Sequence, residues 1–371
     1  MGQPHRIGIV GLGAISSAYL DTLTAASGIR ITAVADLDAD RARAVADRLR
    51  DASALTVDGL LASPEVDTVL NLTTPAAHAE IALGAISQRK GIYGEKPLAA
   101  DLDEATGVFA AARSAGIPLG CAPDTVLGTG VQTARVAIDG GLIGVPTAAT
   151  AVMASPGHEL WHPHPDFYYR RGGGPLLDMG PYYITTLVHL LGPIRSVTGA
   201  ASTPRTTRTI ATGPRRGEIV QVDVETHVTG ILEHENGALS TLVTSFEAPR
   251  TTAAPIEVHG IEGSLVVPDP NTFAGDVRLF RVGDQDWHTV APSAGYADSA
   301  RGVGLIDFVS ATSARPARAD GAMALHVLEA MSALLASARS GTRVDLTTRV
   351  ERPVLVPLTA RDEWLRFGSE P

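Results

Sequence analysis

Arg6-Ile7-Gly8-Ile9-Val10-Gly11-Leu12-Gly13-Ala14-Ile15-Ser16 decides the fold. A short apolar run over residues 6–10 ends in two glycines one residue apart, and an apolar-periodic stretch over 14–26 follows. A strand, a tight turn and a helix account for that order, because glycines allow a sharp turn and a close backbone approach. A helix N-terminus carries unpaired amides and the positive end of the dipole, so the turn Gly11-Leu12-Gly13-Ala14-Ile15-Ser16 suits a pyrophosphate. Ser16 stands where glycine or alanine is usual; it is small enough for helix-on-strand packing, though less close.

The alternation continues. Residues 31–35, 66–71, 91–93 and 117–121 read as strands, and 39–50, 76–89 and 101–115 as helices, which predicts an α/β domain over 1–122 with a doubly wound parallel sheet. Pro123-Asp124 marks a break. Beyond it, a helix over about 130–139 is followed by strand-like segments at 147–153, 219–232 and 238–245 with polar turns between them. That order predicts a second, α+β domain over 123–371 with a mostly antiparallel sheet. Residues 201–217, rich in Thr, Pro and Arg, read as an exposed loop.

The second strand ends at Asp36, 23 residues after Gly13, near the spacing at which an acid takes ribose hydroxyls in dinucleotide sites. Asp36 would repel a 2′-phosphate, which favours NAD over NADP. Arg41 and Arg43 argue the other way, since an arginine beside that pocket would accept the phosphate, but both fall in the next predicted helix. Two other accounts stand. An S-adenosylmethionine methyltransferase also uses a glycine loop and an acid on ribose, and Asp36 could simply cap the helix beginning near Asp38.

A chain of 371 residues is long enough for two domains, and its formal net charge of -10 argues against nucleic acid or an anionic membrane as partner. A small molecule is the expected ligand. The lone Cys121 excludes an intrachain disulfide framework and reads as a small buried apolar residue. The first residues run into a strand pattern without a long apolar secretion segment, and no uninterrupted apolar stretch is long enough to span a bilayer, so a cytoplasmic location is expected.

Of 30 basic side chains only two are lysines, Lys90 and Lys96. Arginine stays protonated in proteins, whereas a desolvated lysine gives up its proton, so proton-shuttling chemistry can use lysine and not arginine. Lys90 reads as a surface cation in the last turn of a helix. Lys96, between Glu95 and Pro97, reads as a catalytic candidate on a fixed backbone.

In Gly172-Gly173-Gly174-Pro175-Leu176-Leu177-Asp178-Met179-Gly180-Pro181-Tyr182-Tyr183 a glycine run leads into an apolar-periodic helix continuing to about residue 191. Proline belongs in a first turn, so Pro181 predicts a helix start near Met179 or Gly180, with Asp178 as N-cap. That role and a catalytic one weigh equally for Asp178. If the helix includes both, Asp178 and Tyr182 share one face; an aromatic packing role is the alternative for Tyr182. Upstream, residues 155–174 concentrate aromatic and hydrogen-bonding groups. Trp161, His162 and His164 suit the face and hydroxyls of a sugar, or a subunit contact, and His162-x-His164 alone is too weak a signal for a metal. Asp124, at the domain junction, is a candidate substrate contact or a cap.

Taken together, these residues resemble the Gfo/Idh/MocA family of NAD(P)-dependent oxidoreductases over essentially the whole chain. The resemblance rests on Gly11 to Ile15, Ala35-Asp36, Thr73-Thr74-Pro75-Ala76-Ala77-His78, Glu95-Lys96-Pro97, Gly172 to Gly180 and Ser340-Gly341-Thr342-Arg343-Val344. It implies a Rossmann domain followed by a domain whose large open sheet forms a homodimer or homotetramer interface, with the active site between the two. It further implies that Thr73, Pro75 and His78 line the cofactor, that Glu95 lies near the nicotinamide ribose, and that Lys96 and Asp178 contact the reacting hydroxyl. The family's commonest pattern has histidine where this chain has Tyr182; members resembling glucose-fructose oxidoreductase and dimeric dihydrodiol dehydrogenase carry tyrosine there.

The expected activity is hydride transfer between NAD and a secondary alcohol of a sugar, glycoside or cyclic polyol, with Lys96 and Tyr182 sharing the proton. A redox-assisted glycosidase and a non-catalytic sugar-binding regulator are the alternatives within the family. The methyltransferase account leaves Glu95-Lys96-Pro97 unexplained.

Overall fold

The computed structural model describes residues 3–366, which divide into two compact units. The first comprises the chain up to Thr129, Ala294–Leu325 and the chain from Pro353; the second comprises Gly130–Ser293 and His326–Arg352. The first unit thus extends past residue 122 and takes in two later stretches.

The first unit is built on six strands: β1 (His5–Val10), β2 (Ile29–Ala35), β3 (Ser53–Ala54), β4 (Thr68–Asn71), β5 (Gly91–Gly94) and β6 (Leu119–Cys121). They pair in parallel in the order β3-β2-β1-β4-β5-β6, with α1 (Ser16–Leu23), α2 (Ala39–Ala46), α3 (Val57–Ala62), α4 (Pro75–Ser87) and α5 (Leu102–Ala115) between them. Ile7 and Ile9 of β1 and Val69 and Leu70 of β4 have no exposed surface, as expected for strands covered on both faces. The strand order reverses beside β1, so the turn after it lies at the switch point on the C-terminal edge of the sheet, where doubly wound sheets bind ligands. Cys121 is buried, and burial pushes its thiol pKa well up.

Lys90 differs from its sequence reading. It is 7% exposed, and Nζ donates to the carbonyls of Ser63 (2.6 Å) and Val66 (2.8 Å). Arg89, with φ +56°, ends the helix and turns the following residue inward, so Lys90 satisfies two buried carbonyls instead of facing solvent.

The second unit starts with α6 (Thr129–Asp139) and β7 (Pro146–Ala154). It continues through α7 (Gly174–Leu191), β8 (Ile194–Ser202), β9 (Thr207–Thr209), β10 (Ile219–Gln221), β11 (His227–His234), β12 (Leu239–Ser245), β13 (Ile256–Gly260), β14 (Gly263–Val267), β15 (Val277–Arg281) and β16 (His288–Val290). After α8 (Val303–Val309), which belongs to the first unit, come α9 (Gly321–Ser340) and β17 (Val344–Asp345); α10 (Arg361–Trp364) again belongs to the first unit. Nine strands form one sheet in the order β16-β15-β14-β13-β7-β12-β11-β8-β17, antiparallel throughout except for β7 with β12. Helix α7 packs on β7, β11 and β12.

Three boundaries depart from expectation. The run 219–232 is two strands, β10 and β11, and the expected loop 201–217 contains β9, which pairs with β10 in a separate hairpin. Helix α7 begins five residues earlier than Pro181 predicts, because Pro175 fills the first-turn position and Pro181 is carried inside the helix. Helix α9 is long and apolar enough to cross a membrane by length and composition, although polar residues interrupt it; most of it is buried, with Met331 against Gly180 and Leu334 against Gly199 and Gly230.

Two core histidines have both ring nitrogens paired. His234 donates from Nδ1 to Gly192 O (2.7 Å) and accepts from Ser240 at Nε2 (2.8 Å); His326 accepts from the Ile194 amide at Nε2 (3.1 Å) and donates from Nδ1 to Thr348 (2.8 Å). Those roles require neutral rings, and burial lowers each pKa to about 4. Below pH 6.5 the unfolded chain takes up protons that the folded rings refuse, so their contribution to stability is complete above pH 6.5 and is lost as the pH falls toward 4. Denaturant unfolding at pH 7 and pH 5 should differ by about 2 kcal/mol for each histidine, and His234→Gln with His326→Gln should flatten that dependence.

Candidate active site

In the first unit the site is assembled on one sheet edge. Gly11 has φ +91°, and a Cβ there would lie 2.7 Å from the carbonyl of Leu72, so the chain leaving β1 passes too close to the chain leaving β4 for any side chain. A Cβ on Gly13 would meet no atom within 4 Å; it would project into open space before α1. Gly13, Ala14 and Ile15 border that space, which is what a pyrophosphate at a helix N-terminus requires, and the residues therefore fit a dinucleotide. Ser16, the departure from the usual motif, closes the turn by donating to Gly13 O at 2.7 Å.

Asp36 is tied to that turn. Its Oδ2 accepts from the Leu12 amide (2.7 Å), and Oδ1 accepts from the Asp38 amide (2.8 Å) and from Arg41 Nη1 (3.1 Å). Burial raises the carboxyl pKa, but the two amides and Arg41 outweigh it and hold it below the usual range. Asp38, accepting from the amides of Asp40 and Arg41, caps α2, so the capping account of Asp36 does not apply.

Pro75 opens α4, and Thr73 donates from its hydroxyl to Asn71 Oδ1 (2.7 Å). His78 is 2% exposed, with Nδ1 2.6 Å from Pro97 O and Nε2 3.1 Å from Thr73 O. The ring thus lies between the Thr73 loop and the Lys96-Pro97 peptide, which is cis; burial lowers its pKa against the opposing effect of the two carbonyls. Glu95 is buried, accepting from Tyr19 Oη (2.7 Å) and the Lys96 amide (3.0 Å). Tyr19 carries no motif that would single it out in the sequence. Lys96 therefore stands just beyond β5 on the same edge as the glycine turn, with its backbone fixed by the neighbouring carboxylate.

Asp124 has no exposed surface. Its Oδ2 accepts from the amides of Gly302 (2.8 Å) and Gly304 (3.2 Å), Arg301 lies 3.5 Å away, and its side chain makes no cap of the turn that follows. Burial raises its pKa against those partners.

In the second unit α7 carries Asp178 and Tyr182 one turn apart, with Tyr182 buried. Asp178 lies in the second turn, which removes the N-cap alternative. His158 Nε2 is 3.3 Å from Asp178 Oδ2, a neighbour that the sequence did not indicate. His158 belongs to a short turn, His158–Leu160, in the aromatic segment. Its ring centroid is 5.0 Å from that of Trp161, 4.0 Å from Tyr168 and 4.5 Å from Phe246. Trp161 and His164 are exposed, and His162 accepts from the His164 amide at Nδ1 (3.1 Å). Beneath them Arg208 pairs with Glu159 (2.9 Å) and Glu247, and Tyr169 donates to Glu159 while accepting from the His158 amide (3.0 Å).

A parallel sheet in this order, with glycine turn, acid and lysine on one edge, defines a dinucleotide-dependent oxidoreductase. Residues 5–122 match the model of the oxidoreductase family with NAD-binding Rossmann fold, and residues 131–266 that of the GFO/IDH/MocA C-terminal domain. The chain belongs to the Gfo/Idh/MocA family of oxidoreductases, and its first domain is an NAD-binding Rossmann domain. It is 29% identical over 267 residues to a 1,5-anhydro-D-fructose reductase of Ensifer adhaerens, covering 71% of this chain and 75% of the relative. It is 25% identical to a myo-inositol 2-dehydrogenase of Thermotoga maritima, covering 74% and 76%. In fold it is similar to an NAD binding oxidoreductase from Klebsiella pneumoniae (TM-score 0.81, 23% identity, 93% and 100% covered). A levoglucosan dehydrogenase in complex with NADH and L-sorbose is also similar (TM-score 0.77, 21% identity, 94% and 100% covered).

Arg41 rests on Asp36, so the arginine that could receive a 2′-phosphate is occupied by the acid that repels one. Asp36→Asn keeps an acceptor for the Leu12 amide while removing the charge. Its NADP⁺/NAD⁺ ratio of kcat/KM should rise about tenfold or more, the effect of losing one charged hydrogen-bond acceptor and releasing one cation; an unchanged ratio would mean that Asp36 does not select the cofactor.

Proposed function

We propose that the protein transfers a hydride between NAD and a secondary alcohol of a sugar, glycoside or cyclic polyol. The observation that carries this reading is Lys96: one of two lysines in the chain, fixed through its amide beside buried Glu95 on the sheet edge that holds the dinucleotide turn. The names of the relatives, an anhydrofructose reductase and inositol dehydrogenases, support the substrate class.

Bound NAD supplies the hydride acceptor at its nicotinamide ring. Lys96 and Tyr182 take up the hydroxyl proton; lysine titrates near about 10.4 and tyrosine near about 10 when unperturbed, so each needs desolvation or a neighbouring cation to act near neutrality. Asp178 orients the substrate hydroxyl as a hydrogen-bond acceptor. Trp161, His162 and His164 offer an aromatic face and polar tips to the rest of the sugar. Asp124 is left out of the proposed contacts because its carboxylate is wholly buried under the 302–304 backbone.

The test is NADH absorbance with NAD⁺ and a panel of free sugars, inositols and glycosides. Lys96→Met should lower kcat by about 10³-fold or more while the dissociation constant for NADH stays within about threefold of wild type. Turnover in that variant at the wild-type rate would defeat the assignment. NADH binding without turnover on any member of the panel would favour a regulator, and release of aglycone without net NADH a redox glycosidase.

We further propose that the nine-stranded sheet mediates a homodimer or homotetramer. Ile231 on β11 and Leu239 on β12 are about half exposed on adjacent strands, two positions apart in the register, an apolar pair that a monomer would leave in water. Light scattering should give two or four subunits for the native chain and a monomer for Ile231→Glu with Leu239→Glu.

A further inference from the structure

Three of the buried histidines can be compared directly. His234 and His326 each give both ring nitrogens a partner, which is how a histidine serves a packed interior. His158 is also buried, its side chain 9% exposed where the other two have no exposed surface, yet only Nε2 has a polar neighbour, Asp178 Oδ2 at 3.3 Å; Nδ1 is buried without a hydrogen-bond partner. An apolar residue would fill the space between Trp161, Tyr168 and Phe246 without that cost. Packing alone therefore does not account for an imidazole at this position.

Its surroundings fix where the ring can go. The His158 amide donates to Tyr169 Oη, Tyr169 donates to Glu159, and Glu159 is paired with Arg208, whose side chain is 1% exposed. Rings on three sides set the imidazole plane. The one direction left to a ring proton leads to Asp178.

We infer that His158 is the positioning residue of Asp178: a neutral imidazole, with its proton on Nε2, that fixes the rotation of the carboxylate and holds it as an acceptor for the substrate hydroxyl. Nδ1 then presents a lone pair to the aromatic enclosure, a cheaper orphan than an N–H. The inference rests on the reading of Asp178 as a contact of the reacting hydroxyl. His158 itself touches neither substrate nor cofactor in this account.

The test is a mutant cycle read in kcat, in KM and in NADH affinity. His158→Phe removes the donor and keeps a ring; kcat should fall about 10- to 100-fold, the effect of one hydrogen bond to a charged group, with NADH affinity and thermal midpoint near wild type. His158→Gln, whose amide reaches the position of Nε2, should recover most of the loss, and His158→Asn, whose amide reaches only the position of Nδ1, should not. Where phenylalanine is not accommodated, the glutamine and asparagine variants make the same comparison.

Combined with Asp178→Asn, His158→Phe or His158→Asn should cost no more than about twofold beyond Asp178→Asn alone, since a positioning residue has nothing left to position. Wild-type kcat in His158→Phe or His158→Asn, equal losses in the glutamine and asparagine variants, or losses that multiply with Asp178→Asn would each overturn the inference. Wild-type turnover in Asp178→Asn would instead overturn the reading of Asp178 itself, and this inference with it.

Discussion

The interior of the second unit turns on one buried cation. Arg208 is almost wholly enclosed, and moving an ion from water into a protein interior costs on the order of several kcal/mol unless partners are in place. They are: Glu159, Glu247 and the Phe246 carbonyl surround the guanidinium. The requirement is reciprocal, because each carboxylate is itself buried or nearly so. The segment carrying Glu159 has little regular structure of its own, only two short turns; Arg208 ties it to β12 and to the β9–β10 hairpin, and a more exposed pair, Asp166 with Arg215, adds a second link to the hairpin. His158 is the residue before Glu159, so the same enclosure that satisfies the charge presents the imidazole to α7.

Backbone crowding plays the corresponding part in the first unit. At Gly11 the chain leaving β1 and the chain leaving β4 come within contact of each other, and the Leu12 amide turns back to Asp36. Turn and acid are thereby one object: the carboxylate that would meet a ribose is fixed by an amide of the loop that would meet the pyrophosphate. Arg41 adds a second constraint from α2, balancing the acid without displacing it from the turn.

Much of the first unit was legible in the sequence because parallel strands buried on both faces write themselves as short apolar runs, and because glycine turns and caps are local. The second unit was less so. Pro181 pointed to a helix start that Pro175 in fact provides, since propensity rules give the positions where proline is easy and not those where surrounding contacts override its cost. Lys90 read as a surface cation because local sequence carries no sign of the carbonyls of Ser63 and Val66, more than twenty residues away, that receive its ammonium. Tyr19 and His158 were missed for the same reason. Their partners, Glu95 and Asp178, are 76 and 20 residues distant in the chain, and only the fold supplies the pairing.

The residues with motifs and the residues without them divide the work in a consistent way. Lys96 and Asp178 stand in recognisable runs, and behind each stands a group that no run marks: Tyr19, which holds the Glu95 that accepts from the Lys96 amide, and His158, beside the Asp178 carboxylate, whose turn is held by Tyr169 and Glu159. In both cases the support is buried and the supported residue is only partly so. A side chain that must meet a ligand keeps some exposure and cannot be immobilised by packing on all sides. Its orientation has to be imposed from behind, by groups whose own positions are fixed because leaving them unpaired in the interior would be costly.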